Sequence, residues 1–584
     1  MDASSKKAAP RGSDHLALDC RGTNFYRIDR GLRDLLNLYM ESAMHDHFAP
    51  HYDRLGELAG GKLDELAEVA DKHPPMLHPR DRFGRDEDWI EYHPAYRAME
   101  QIAFGELGLH AMSHRGGVLG WPAPLPPIAK YAFTYLFVQA EFGLMCPVSV
   151  SDTSIYVISR YGSDELKNRL LPRMLSQDLA TMWKGTQFMT EKAGGSDVGA
   201  LETTARNEGD AWRLYGDKWF CSHADADVAL LLARPEGAPA GTKGLALFAL
   251  PRRLENGARN SYRIVRLKDK LGTKSMASGE IMLEGALAYL VGDVRGGFKQ
   301  MMDQVNLSRL SHGVRAAAMM RRCLNESLQV ARTRNAFGKK LIEMPLVKKQ
   351  LMKIMLPTEQ ALSMYAYTAH VMGRANAGEE GASNILRLLT PLYKFRACRD
   401  NIRVATGAME MRGGNGYIED FVGARLVRDA HVGVLWEGTS NIAALDAIAR
   451  AVGKMHSHEA LAGSLKTLVG ESSKLPESFR SRLDETIDKV VAFATEVAAR
   501  EEHEDWARVA AGALYHMTSA VLMSWEAAHS GNGKRLLLSR MILEHRLAAE
   551  DPMAMRSNRW ESQASALLLK DEDVSLAEAA TLAG

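Results

Sequence analysis

The sequence predicts an α+β chain in which helical blocks flank a central β domain. Three observations carry this. Before about residue 183 and after about residue 297, apolar residues recur at helical spacing over long stretches. Between residues 184 and 296 the segments are short, β-branched or alternating, and separated by Gly, Asn and Asp, as in a mostly antiparallel, barrel-like sheet. The order is helices, strands, then helices again, not alternating β-α units, which argues against a Rossmann fold. The expected organisation is an N-terminal arm (1–50), a helical domain (51–183), a β-barrel domain (184–296), a second helical domain (297–452) and a C-terminal helical domain (453–584).

Met1 to Asp14 has no apolar stretch and is expected to be disordered. Arg30 to Met40 places Leu32, Leu35, Leu36 and Tyr39 on one helical face. A mainly helical region follows to about Gln177, interrupted by a turn at Pro122, Pro124, Pro126 and Pro127. Tyr131 to Met145 is aromatic-rich and expected to be buried, and Ser163 is the N-cap of a helix with acids in its first turn. In the β domain, Trp212–Tyr215, Val228–Leu232 and Leu245–Leu250 read as strands. Helical periodicity returns at Phe298, breaks at Ala377–Gly381 and around Gly413, and resumes from about 455 to 570, ending in a solvated tail at Lys570-Asp571-Glu572-Asp573.

Hydrophobic residues make up 46% of the 584 and charged residues 25%, as in a globular protein with a sizeable core. A net charge of +1 gives no global attraction to nucleic acid. The five cysteines are scattered, without metal-ligand spacing, which fits reduced thiols in a cytoplasm and no metal site. The longest uncharged run, Val509 to Trp525, is 17 residues, shorter than the ~20 of a membrane span, and reads as a buried helix.

Five stretches carry chemistry. In Gln187–Val198, adjacent glycines Gly194 and Gly195 bare backbone amides while Thr190 and Ser196 add hydroxyls, suiting a phosphate or a polar ring edge; alone, the loop reads as a turn. Gly216–Ser222 reads as a hairpin turn and strand, alternation placing Lys218, Phe220 and Ser222 on one face and Trp219 and Cys221 on the other. Arg334-Asn335-Ala336-Phe337-Gly338-Lys339 offers a phosphate-binding arginine and also reads as a helix C-cap at Gly338 with a basic last turn, two readings that can hold together. Glu410–Tyr417 exposes amides at Gly413, Gly414 and Gly416, or simply stops a helix. In Trp436-Glu437-Gly438-Thr439-Ser440-Asn441-Ile442, one carboxylate sits beside apolar bulk, where desolvation raises its pKa and makes it a base near neutral pH; the plain alternative is an acid at a helix start.

Taken in order, these five stretches resemble the acyl-CoA dehydrogenase flavoprotein family over about Gln187 to Arg450. Cys146-Pro147-Val148-Ser149, Leu267–Gly272, Met344-Pro345-Leu346, Ala408-Met409-Glu410, Trp436 and a helical block beyond residue 450 are similar to its AidB-like branch.

The resemblance implies FAD between the β domain and the second helical domain. Met189, Thr190, Gly195 and Ser196 would meet the flavin and its phosphates, Phe220 the ring and Ser222 its polar edge. Arg334, Phe337, Glu410, Gly413 and Gly414 would reach the FAD of a neighbouring subunit, and Thr439 and Asn441 would touch FAD beyond the base. Glu437 would remove the α-proton of an acyl-CoA while hydride passes to flavin N5, its own backbone amide helping to hold the thioester oxygen. Ser196, Asn306, Arg309, Trp436 and Gly438 are the candidate substrate contacts, Arg309 alternatively positioning the helix. Ser308 stands where some relatives carry the base. Asn306, Ala336, Pro345 and Glu410 depart from the family pattern, mostly on the CoA side. Trp436 and Phe220 would narrow the cavity towards short or branched acyl groups. The expected partners are an electron-transfer flavoprotein and further copies of the chain, commonly four. Two other functions follow from the resemblance: an AidB-like DNA-associated flavoprotein of the alkylation response, and a flavin oxidase or monooxygenase. From Ala451 to Gly584 there are 15 Lys or Arg against 20 Asp or Glu, a balance that disfavours duplex DNA.

Overall fold

The structure is a computed structural model that describes residues 16–209, 211–548, 553 and 559–583. Met1 to Asp14 lies outside the described residues. The first helix, α1 (Arg30–Tyr39), is capped by Asp29, which accepts from the Leu32 N–H at 2.9 Å. Leu32, Leu35 and Leu36 are buried and Tyr39 is partly buried, the face that periodicity selects. Then come α2 (Ser42–Gly60) and α3 (Lys62–Lys72).

The mainly helical region expected over 51–183 is interrupted by an antiparallel hairpin that the sequence did not announce, β1 (Met76–Arg80) and β2 (Asp86–Glu91). Its strands are mostly exposed, so they show no apolar alternation, and Pro79 counts against a strand. A tertiary anchor holds the hairpin instead: buried Asp88 pairs with Arg259 at 2.5 Å and accepts from the Ile264 N–H at 3.0 Å, both in the β domain. The helices α4 (Pro94–Glu100), α5 (Pro127–Val138), α6 (Met145–Tyr161) and α7 (Asp164–Met174) complete this block. Every residue of α5 is buried, and Ser163 caps α7 by accepting from the Leu166 N–H at 3.2 Å.

The β domain comprises β3 (Gly185–Phe188), β4 (Thr204–Asn207), β5 (Trp212–Ser222), β6 (Val228–Pro235), β7 (Ala246–Pro251), β8 (Tyr262–Leu267) and β9 (Ser278–Leu290). The pairings β6–β4–β5–β9–β7–β6 close a ring, with β3 added beside β6 and β8 beside β9. Most pairs are antiparallel; β3–β6 and β4–β6 are parallel. β6 is flanked on both edges and buried on both faces, hence its continuous apolar run.

The second helical block is built on α8 (Gly297–Thr333), a short hairpin of β10 (Asn335–Ala336) and β11 (Lys339–Lys340), α9 (Pro345–Asn376), α10 (Ala382–Arg412), α11 (Val422–Ala430) and α12 (Ser440–Leu445). The C-terminal helices are α13 (Ser457–Glu471), α14 (Glu477–Ala499), α15 (Ala507–Ser530), α16 (Gly533–Ile542), α17 (Arg559–Leu568) and α18 (Leu576–Ala583). The uncharged run from Val509 lies in α15, which packs on α9 and α10. Buried polar bonds fasten it there: Gln360 Nε2 donates to Ser519 Oγ at 2.8 Å, and Ser363 Oγ to Glu526 at 2.8 Å. No helix of the described residues is long and apolar enough to cross a membrane. The expected tail at Lys570–Asp573 is instead a connection: Asp571 pairs with Arg332 at 2.6 Å, and α18 follows, with Ala579 and Ala583 buried. Charge density alone does not separate a tail from a turn between two helices.

Candidate active site

The loop from Leu435 to Thr439 connects α11 to α12 and presents Glu437. Its backbone is held in the left-handed region, φ 54° at Glu437 and 94° at Gly438. That conformation costs a non-glycine residue about 1–3 kcal/mol, so the surroundings must impose it. Two cations from the flanking helices do so: Arg309 Nε of α8 donates to the Glu437 carbonyl at 3.0 Å, and Lys394 Nζ of α10 donates to the Gly438 carbonyl. Arg309 is in turn fixed by Asp446 at 2.7 Å, and Asp446 by Arg387 at 2.6 Å. Gly438 has no room for a side chain, since a Cβ would lie 2.9 Å from Ile442 Cγ2.

The Glu437 carboxylate is fixed through one oxygen. Oε1 accepts from Gln187 Nε2 of β3 at 2.6 Å and from Ser308 Oγ of α8 at 2.9 Å. Among the described residues Oε2 accepts no hydrogen bond, and the Glu437 N–H donates none. Burial pushes the carboxyl above its ordinary range, against the pull of Ser308, Arg309, Lys394 and Gln187. The result is an oriented carboxylate with a free oxygen, made more basic by desolvation.

The Thr190–Ser196 loop is tied to the barrel by a buried pair. Glu191 accepts from Lys218 Nζ of β5 at 2.5 Å, from Thr203 Oγ1 at 2.5 Å and from the Glu202 N–H at 2.6 Å. The Trp219 N–H donates to the Thr190 carbonyl at 2.8 Å. Thr190 lies 3.4 Å from the Cβ position of Gly195, and Gly195 and Ser196 face outward. The alternation expected for β5 is broken. A bulge between Lys218 and Cys221 buries both, leaving Phe220 54% exposed and Ser222 half-buried. Phe220 and Lys218 therefore do not share a face.

Behind Glu437, Trp436 stacks on Phe142 at 6.5 Å and meets His312 edge-on at 5.4 Å. Arg315, 1% exposed, donates from Nη2 to His312 Nε2 at 2.9 Å, while its Nε and Nη1 have no acceptor. Burial and then Arg315 hold His312 well below its ordinary pKa, so it is neutral and accepts through Nε2. Ser308, His312 and Arg315 lie on one face of α8, at intervals of four and three residues.

Arg334, Phe337, Glu410, Gly413 and Gly414 form a second surface. α8 ends at Thr333, and Phe337 and Gly338 (φ 51° and 75°) are the turn of the β10–β11 hairpin, so Gly338 is not a helix C-cap. Phe337 at the tip is 96% exposed. Arg334 Nη1 lies 3.6 Å from the Cβ position of Gly413, beside exposed Glu410 and Gly414, and has no ion pair among the described residues. From Ser308 to Thr333, α8 advances about 37 Å, so this surface is remote from Glu437 of its own chain. Thr439 and Asn441 are exposed at the start of α12. Asn306 accepts from Arg309 Nη1 at 3.2 Å, and Arg309, 3% exposed, has its donors committed to the loop and to Asp446. These groups fit a flavin dinucleotide: an open aromatic face at Phe220, bared amides and hydroxyls at Thr190–Ser196, and an unpaired arginine among glycines at the second surface. The sequence alone assigns no role to Gln187, Lys394, Glu191 or Arg315, and marks Ser308 only as the place where some relatives carry the base.

Three family models match the chain: the adaptive response protein AidB N-terminal domain over residues 17–179, the acyl-CoA dehydrogenase middle domain over 186–286 and the acyl-CoA dehydrogenase C-terminal domain over 295–453. Acyl-CoA dehydrogenase family member 11 of Caenorhabditis elegans is 30% identical over 567 residues, covering 94% of this chain and 90% of that one. The putative acyl-CoA dehydrogenase AidB of Escherichia coli K12 is 30% identical over 438 residues, 73% of this chain and 77% of that one. The crystal structure of C. elegans ACDH-11 in complex with C11-CoA superposes with a TM-score of 0.86 at 26% identity, covering 95% of this chain and 97% of that one. With helices, barrel and helices in the order of these relatives, the chain belongs to the acyl-CoA dehydrogenase family of FAD-dependent oxidoreductases, on its AidB-like branch.

Proposed function

We propose that this protein dehydrogenates a short- or branched-chain acyl-CoA at Cα–Cβ, with Glu437 as the base. The observation that carries the reading is the Glu437 carboxylate, anchored through Oε1 and open at Oε2. Oε2 takes the α-proton. The unpartnered Glu437 N–H donates to the thioester oxygen as negative charge gathers there. Arg309 and Lys394 hold the loop so that base and donor keep one geometry. FAD, when bound, supplies the hydride acceptor for the β-carbon. Trp436, fixed by Phe142 and His312, limits the depth open to the acyl chain. An electron-transfer flavoprotein is the proposed acceptor.

The cofactor site is proposed to be completed by a second copy of the chain, because Arg334 and Phe337 lie too far along α8 to serve the FAD beside their own Glu437. The C11-CoA bound by the C. elegans neighbour favours a second reading, a longer acyl group. DNA binding is disfavoured by the acidic balance of residues 451–584.

Anaerobic titration with acyl-CoAs of graded length and branching, following flavin bleaching, tests both readings. Glu437→Gln should retain FAD and lose bleaching by every substrate. Normal bleaching in that variant would remove Glu437 from the role.

A further inference from the structure

A cavity of about 470 Å³ lies away from Glu437, where α1, the C-terminal half of α8 and the C-terminal helices meet. Arg30 and Arg33 enter it from α1, Asn325 and Arg332 from α8, Lys534 from α16, and Lys570 from the connection after α17. The carboxylates that line it are already committed: Glu359 is held by Arg321 at 2.5 Å and faces Arg535 at 3.4 Å, and Asp571 is held by Arg332. Among the described residues, Arg33, Lys534 and Lys570 form no ion pair. Three donors of lining residues are buried without a hydrogen-bond acceptor, Arg33 Nε, Asn325 Nδ2 and Arg535 Nη2, the asparagine being only 9% exposed. A buried donor left unmade costs about 1–3 kcal/mol, so each calls for an acceptor. Lys534 is held below its ordinary pKa by burial and then by the repulsion of Arg30.

We infer that this cavity is a binding site for a phosphate-bearing small molecule of nucleotide size, separate from the site around Glu437. The charge excess selects a ligand with at least two negative charges. The tetrahedral oxygens of a phosphate match the unpaired cationic side chains of Arg33, Lys534 and Lys570 that line the cavity. The volume is within the range of small-ligand sites and exceeds what a single phosphate fills. The cavity is walled by three separate parts of the chain, so an occupant ties the C-terminal helices to α1 and α8.

The test is calorimetric titration of the FAD-loaded protein with ADP, and with inorganic phosphate as the smaller probe. Saturable binding of ADP, one per subunit and weaker in high salt, is expected, with phosphate binding more weakly. Arg33→Ala and Lys534→Ala should each weaken ADP by about 10-fold, the loss of one charge-assisted contact, with flavin absorbance and acyl-CoA reduction unchanged. The surface reversal Lys570→Glu should weaken it as well, and serves if either buried-side variant fails to fold. Absence of saturable binding at millimolar ADP overturns the inference. So does binding that these variants leave untouched, which would place ADP elsewhere on the protein.

Discussion

Replacing Arg309 by methionine separates Glu437, the proposed base, from what holds it. The side chain has a similar length but loses three interactions: the Nε bond to the Glu437 carbonyl at 3.0 Å, the pair with Asp446 at 2.7 Å and the Nη1 bond to Asn306 at 3.2 Å. Both partners of that pair are buried, with side chains 4% and 5% exposed. Breaking a buried pair costs about 3–5 kcal/mol. Asp446 keeps Arg387 at 2.6 Å, so the loss belongs at the lower end, about 3 kcal/mol, read as a lowered Tm. The catalytic effect is distinct. Glu437 sits at φ 54° because its carbonyl is gripped, and without the grip the loop relaxes towards unstrained backbone. A shift of about 1 Å in a catalytic group costs about 10²-fold in rate. Stopped-flow flavin reduction by the best acyl-CoA should slow by that order, with FAD content retained. Arg387→Met is the control: it also exposes Asp446 but leaves Arg309 on the loop, and should lower Tm with little change in rate. Unchanged reduction in Arg309→Met, or equal slowing in both variants, would refute the positioning argument.

Ser308→Ala removes a hydrogen bond that favours the charged carboxylate, so the acid limb of the rate profile should move to higher pH; a limb that stays or moves down contradicts the assignment of Glu437 as the titrating base. Lys218→Met leaves Glu191 buried without its cation and should cost about 3–5 kcal/mol in chemical denaturation, with FAD content falling because the Thr190–Ser196 loop loses its tether. Gly438→Ala combines positive φ with a Cβ 2.9 Å from Ile442 and should lower stability by about 1–3 kcal/mol and slow flavin reduction; wild-type behaviour would mean the loop has slack.

The helix–barrel–helix order was legible because apolar periodicity changes from helical to alternating near residue 184 and back near 297. Glu437 stood out as a candidate only through the order of all five stretches, since its own stretch reads as readily as an acid at a helix start. Its partners did not stand out: Gln187 is 250 residues away and Ser308 is 129, and a hydrogen bond across such distances leaves no trace in local pattern. The β1–β2 hairpin escaped because an exposed strand has no apolar face to betray it, and its anchor at Asp88 lies more than 160 residues from Arg259 and Ile264. The bulge in β5 inverted the facing of Phe220 relative to Lys218, since one extra residue shifts a period of two by half. Gly338 reads as a helix cap because glycine after a basic turn serves both helix caps and two-residue hairpins.

The length of α8 sets a phase as well as a distance. Ser308 and Arg309 face the base near one end, and the helix runs without a break to the hairpin that carries Phe337. One residue inserted between them would turn that hairpin by about 100° and advance it by about 1.5 Å relative to Glu437, with every side chain at either end unaltered. On the proposed shared cofactor site, each chain would then keep an intact Glu437 loop and an intact hairpin that no longer point to compatible places. Sequence changes in the middle of α8 can therefore disable the enzyme by mis-clocking it, a failure that no inventory of site residues would register.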